Sequence, residues 1–109
     1  NLLPPHISKQ SVSIIYANEA DVLNVALFGK TAKDWRNENP KMDGNIRDYA
    51  DVTQYVVHAN LEGINAEFIR RNIPQGERLL QLNEIAITQI KSLIGNSSIK
   101  KLTDDIEKI

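Results

Sequence analysis

A chain of 109 residues, 41% hydrophobic and 25% charged, has room for one domain with one core and falls outside the disordered class. Thirteen basic and fourteen acidic residues leave a net charge of −1, without the basic excess that neutralising duplex-DNA phosphates demands. The lack of cysteine removes disulfides, thiolate zinc sites and cysteine nucleophiles together, and no apolar run approaches the roughly 20 residues that span a bilayer.

Residues 1–10 carry Pro4 and Pro5 and read as an extended leader or linker remnant, followed by a single helical domain over 11–109. Val12, Ile15, Glu19, Val22, Leu23 and Ala26 recur at spacings of three and four, which predicts one long or two short helices across 11–28, stopped by Gly29. Thr31 caps the next helix, with Asp34 in a variant of the capping box. There Ala32 and Trp35 turn inward, Lys33, Arg36 and Asn37 face water, and Pro40 ends the element. Asp43-Gly44-Asn45 is a turn signal.

Asp51 and Gln54 form a capping box for a helix from Val52 to about Arg71. Its apolar residues fall in two stripes: Val52, Tyr55, Val56, Ala59, Gly63 and Ala66, then Val57, Leu61, Ile64 and Phe68. A surface helix carries one such stripe, so the pattern predicts a central, two-sided helix that a partner approaches closely at Ala59, Gly63 and Ala66. Asn72 stops it, and Pro74 opens a helix striped by Leu79, Leu82, Ala86, Ile90 and Leu93. Gly95-Asn96 breaks that helix, and Ser97 or Ser98 caps a last one bearing Ile99, Leu102, Ile106 and Ile109. The expected fold is all-α, a compact bundle of five to six helices.

Little of this carries chemistry. His58 and Glu62 are four apart but lack further ligands at metal spacing, and read as a solvated pair. Glu67 and Arg71, with Thr53 and Asn60, form a polar strip that is either a buried network or the floor of a groove. Asn83 lies inside an apolar arc, where it sets register, joins such a network or contacts a ligand. The GKT at 29–31 lacks the frame of a phosphate loop, and no nucleophile triad or paired-carboxylate signature is present. The expectation is a protein that is not an enzyme and takes no cofactor. Lys30, Lys33 and Arg36, and Arg70, Arg71 and Arg78, are either solvated or ion-paired faces or an auxiliary nucleic-acid contact. The loop holding Arg47, Asp48 and Tyr49 is either a partner contact or a packed connector, with Tyr49 beneath the central helix and Arg47 and Asp48 at helix ends.

The stretches DVLNVALFGKTAKDWR (21–36), GNIRDYADVTQ (44–54), NLEGINAEFI (60–69) and PQGERLLQLNEIA (74–86), in this order, resemble the C-terminal region of KilA-N domain proteins. In those phage-type and bacterial proteins the N-terminal KilA-N module is the proposed DNA binder. The resemblance implies the tail without that module: an accessory domain for protein interaction or self-association, reaching DNA through the missing module. Arg47, Asp48, Tyr49 and the stripe Ile99, Leu102, Ile106 and Ile109 are its expected contact residues. With no signal-peptide pattern and no spanning segment, the expected setting is cytoplasmic and away from membranes.

Overall fold

In the computed structural model, which describes residues 2–95, the chain runs through four α-helices and two 3-10 turns. These are a turn at Lys9–Ser13, α1 (Glu19–Phe28), α2 (Ala32–Glu38), a turn at Ile46–Tyr49, α3 (Val52–Arg70) and α4 (Gln75–Ile94). No strand occurs among the described residues. The all-helical class therefore stands, with four helices among the described residues against the five to six expected of the whole chain. The last expected helix, with Ile99, Leu102, Ile106 and Ile109, lies outside the described residues.

Residues 22–27 of α1 are all buried, which makes α1 the axis of the fold. Five of these six side chains are apolar, and a helix apolar all round is a core helix. Its Val22, Leu23, Ala26 and Leu27 meet Val57 and Leu61 of α3 and Leu79, Leu82, Ala86 and Ile90 of α4 in one core. The helix begins at Glu19, later than the spacing from Val12 suggested. Asn18 caps it, its Oδ1 accepting from the Asp21 amide at 2.9 Å. Ahead of it Ile14 and Ile15 are exposed, Ile15 at 86%. Tyr16 is held extended there, its amide donating to Gln75 Oε1 at 2.8 Å while Gln75 Nε2 donates to its carbonyl at 3.2 Å. Gly29 ends the helix in the left-handed region at φ 81, and a Cβ there would strike the Pro5 ring.

The stretch before the first turn is extended and fastened to the core. Ile7 is buried, and its amide donates to Asn83 Oδ1 at 2.9 Å. Asn83 Nδ2 in turn donates to the carbonyls of Pro5 at 2.9 Å and Ala26 at 3.0 Å. Of the readings open for Asn83, the buried network holds.

Among the described residues, the two-sided reading of α3 does not hold. Val57, His58, Leu61 and Asn65 are its buried residues, whereas Val52, Tyr55, Val56, Ala59, Gly63 and Ala66 are all exposed. A Cβ built on Gly63 meets nothing within 4 Å, so the close approach expected there is missing among the described residues. The physical reason is the competition for cover. α1 offers large apolar groups on every side, while the outer row of α3 dwindles to alanine and glycine. The α3 strip at Thr53, Asn60 and Glu67 is not a buried network either: Asn60 is exposed and donates to Gln89, and Glu67 pairs with Arg70 and Arg71 at the surface.

Helix boundaries follow the expected chemistry. The Asp51–Gln54 capping box is reciprocal, with bonds of 3.0 and 3.2 Å. Asn72 is left-handed at φ 60, and bonds from Ile73 to Phe68 and from Asn72 to Ile69 close α3 in a Schellman motif. Between α1, α3 and α4, Arg78 is buried, donating to Glu19, to Asn65 Oδ1 at 2.8 Å and to the Ile73 carbonyl at 2.9 Å.

Candidate interaction surface

The surface with the most chemistry is the corner made by α2 and the Ile46–Tyr49 turn. Thr31 caps α2 by accepting from the Asp34 amide at 3.1 Å, and α2 stops before Pro40 as expected. Gly44, left-handed at φ 86, turns the chain so that Asn45 can cap the next element. Asn45 Oδ1 accepts from the Arg47 amide at 2.9 Å, and Asp48 Oδ2 accepts from the Asn45 amide at 2.8 Å. Trp35 and Ile46 are buried beneath the corner, apart from the main core.

Asp48 is thus a capping residue, in line with the connector reading. Tyr49 is not beneath α3. It is 52% exposed, its ring 5.2 Å from that of Trp35 at an interplanar angle of 31°, and its hydroxyl donates to the Asp43 carbonyl at 2.7 Å. From the other side Tyr55 of α3 donates its hydroxyl to the Arg47 carbonyl. The loop backbone is therefore fixed from both flanks while Arg47, Tyr49 and Tyr55 stay exposed.

Two hollows flank Arg47. One, of about 360 Å³, lies between α1 and the corner and is lined by Asp21, Asn24, Lys33, Arg36 and Arg47, among others. Asn24 Oδ1, beside it, is buried without a donor. The other, of about 350 Å³, is lined by Arg47, Asp48, Tyr55, His58 and Glu62. His58 is buried rather than solvated, and its Nδ1 lies 2.9 Å from Glu62 Oε1. Burial pushes its pKa below the ordinary 6.5, the Arg47 charge adds to this, and Glu62 opposes it. The neutral ring then donates its Nδ1–H to the carboxylate. No group of three or more His, Asp or Glu among the described residues is arranged to hold a metal.

The six cations named as nucleic-acid candidates separate. Lys30 pairs with Glu38 at 2.5 Å, Arg70 and Arg71 share Glu67 at 2.5 and 3.0 Å, and Arg78 is buried on Glu19 at 2.5 Å. Lys33 and Arg36 are exposed and converge with Arg47 on the first hollow. No periodicity groups Arg47 with Lys33 and Arg36, because the turn that brings it opposite α2 is set by Gly44 and Asn45. Ile99, Leu102, Ile106 and Ile109 lie outside the described residues.

Comparison with protein-family models, with curated proteins and with solved structures gives no match to this chain.

Proposed function

We propose that the chain is a non-enzymatic helical accessory domain that works through protein interaction, self-association included, with Arg47, Tyr49 and Tyr55 as its contact corner. One observation carries this reading: an Arg and two Tyr side chains stand exposed on a loop whose backbone is already fastened. Arg and Tyr supply a large share of binding energy at protein interfaces, and a preset backbone lowers the ordering cost of using them. The resemblance to the C-terminal region of KilA-N proteins supports a cytoplasmic setting beside a DNA-binding module, which is itself a candidate partner. A photo-crosslinking residue at Tyr49, in the whole protein in cells, tests the reading. Protein crosslinks should form at position 49 and be scarce at Glu84, an exposed site on α4. Equal yields at both positions would reject it.

Auxiliary nucleic-acid contact is the second reading, favoured by the convergence of Lys33, Arg36 and Arg47. It requires duplex binding tighter than the non-specific range of about 10⁻⁴–10⁻⁶ M at physiological salt, weakened by Lys33→Glu and Arg36→Glu. With a net charge of −1, binding weaker than that range is the expected result.

A further inference from the structure

The hollow between α1 and the corner gathers charge that the fold itself does not use. Lys33, Arg36 and Arg47 border it without an ion pair among the described residues, whereas Lys30, Arg70, Arg71 and Arg78 each meet a carboxylate. Lys33 and Arg36 stand three apart on one side of α2, and Arg47 comes from the turn, its carbonyl fixed by the Tyr55 hydroxyl. The corner packs through Trp35 and Ile46, so these cations add repulsion rather than support. Among the residues that line the hollow Asp21 alone is acidic, which leaves an excess of two positive charges.

The wall supplied by α1 is polar and incomplete. Asn24 is 6% exposed, and its Oδ1 is buried without a donor. Buried polar atoms are nearly always hydrogen-bonded, so an orphan beside a hollow marks a place for a group the protein does not itself supply. The terminal torsion of asparagine is soft, and the carboxamide can turn its oxygen or its amide hydrogens to an incoming group. Asp21, three residues earlier on α1, offers carboxylate acceptors to the same space. A volume of about 360 Å³ is at the small end of the range for small-molecule sites, roughly 300–1,000 Å³.

We propose that this hollow binds a small phosphorylated polyol such as a sugar phosphate. The phosphate dianion matches the excess of two charges and takes the guanidinium forks of Arg36 and Arg47 and the ammonium of Lys33. The hydroxyls donate to Asp21 and exchange hydrogen bonds with the Asn24 carboxamide. This site does not rest on the partner reading of the corner, since crosslinking at position 49 can fail while the hollow binds, and the reverse. Titration of the isotope-labelled protein with ribose 5-phosphate tests it. Amide signals of residues 31–36 and 45–47 and the side-chain NH2 pair of Asn24 should shift together and saturate. Lys33→Gln and Arg36→Gln, both at exposed positions, should each weaken binding about tenfold, the size of one charge-assisted hydrogen bond. Arg71→Gln, on α3, should leave it unchanged. Ribose should not bind, and inorganic phosphate should bind more weakly and leave the Asn24 pair in place. No saturable shift, or equal losses in Arg71→Gln, would overturn the proposal. Equal binding of inorganic phosphate would overturn the polyol, and a DNA duplex that moved the same signals at lower concentration would assign the hollow to a nucleic-acid backbone instead.

Discussion

Asn83→Ala removes a side chain that ties the leader, α1 and α4 together. Its Oδ1 holds the Ile7 amide, and its Nδ2 holds the carbonyls of Pro5 and of Ala26 near the end of α1. Asn83 is 1% exposed, so water cannot take over these bonds without the site opening. Three hydrogen bonds, two buried and the one to Pro5 part-buried, at about 1 kcal/mol each give about 3 kcal/mol, and the orphaned Ile7 N–H adds about 1 kcal/mol or more. The expected loss is about 4 kcal/mol, a large part of the roughly 5–15 kcal/mol that holds a domain together. For a chain of this length that corresponds to a fall in Tm of about 16 °C. Urea unfolding followed by circular dichroism measures it, and the slope against urea should be unchanged. Asn83→Leu restores the volume without the bonds and should recover less than half of the loss. Amide exchange at Ile7 supplies the local readout: protected in the parent, fast in both variants. A loss below about 1 kcal/mol, with the Ile7 amide already exchanging freely in the parent, would show that Asn83 does not pin the leader.

Gly29→Ala should cost about 1–2 kcal/mol in the same unfolding assay, since φ 81 strains any side chain and the Pro5 ring fills the space. The neutral, buried His58 makes stability pH-dependent. Its folded pKa lies below 6.5, so as pH falls below 6.5 the unfolded chain takes the proton first and stability declines; His58→Gln should flatten that slope in urea midpoints. Glu19 gives a second acid limb. The Arg78 hydrogen bonds hold its carboxyl below the usual 4.5, so its contribution is present above pH 4.5 and lost as pH falls further, and Glu19→Gln should abolish that limb. Amide exchange should be faster across residues 44–50 than in α1, because the corner has its own small buried cluster outside the main core.

Local chemistry was readable from the residues. The stops and starts at Gly29, Thr31, Gly44, Asp51 and Asn72 fall where capping and turn preferences put them, because each depends on neighbours three or four residues away. The failures all involve cover supplied from far along the chain. Val12 and Ile15 continue the helical spacing of α1 backwards, yet Val12 lies in a 3-10 turn and Gln75, 59 residues from Tyr16, ties down the chain between that turn and α1. Arg78 is ion-paired, one of the readings open for it, but its burial is not legible because nothing near it in sequence shows that Glu19 and Asn65 will enclose it. Its place beside Leu79 and Leu82, at the edge of the apolar arc of α4, was the available signal. Lys33, Arg36 and Arg47 come together only because the chain reverses at Gly44.

The wheel of α3 shows why two stripes do not draw two partners among the described residues. A helical pattern reports which side chains are apolar, whereas burial depends on how much area each can remove from water. On α3 the inner stripe holds Val57, Leu61, Ile64 and Phe68, and the outer one thins after Val56 to alanine and glycine. The run at 22–27 is shorter but is apolar at five of its six positions, so α3, α4 and Ile7 of the leader close on it. Polar tethers then fix what burial selects. Arg78 and Gln75 grip the start of α1 and the chain before it, and Asn83 grips its end and the leader, so α1 is held against α4 at both ends. Among the described residues the Arg47 corner shows no such tether to α4, and it rests on Trp35 and Ile46. A rigid axis with one chemically rich corner, fastened in itself but outside the main core, is an arrangement in which the proposed contact at the corner could be made and broken without loosening the core.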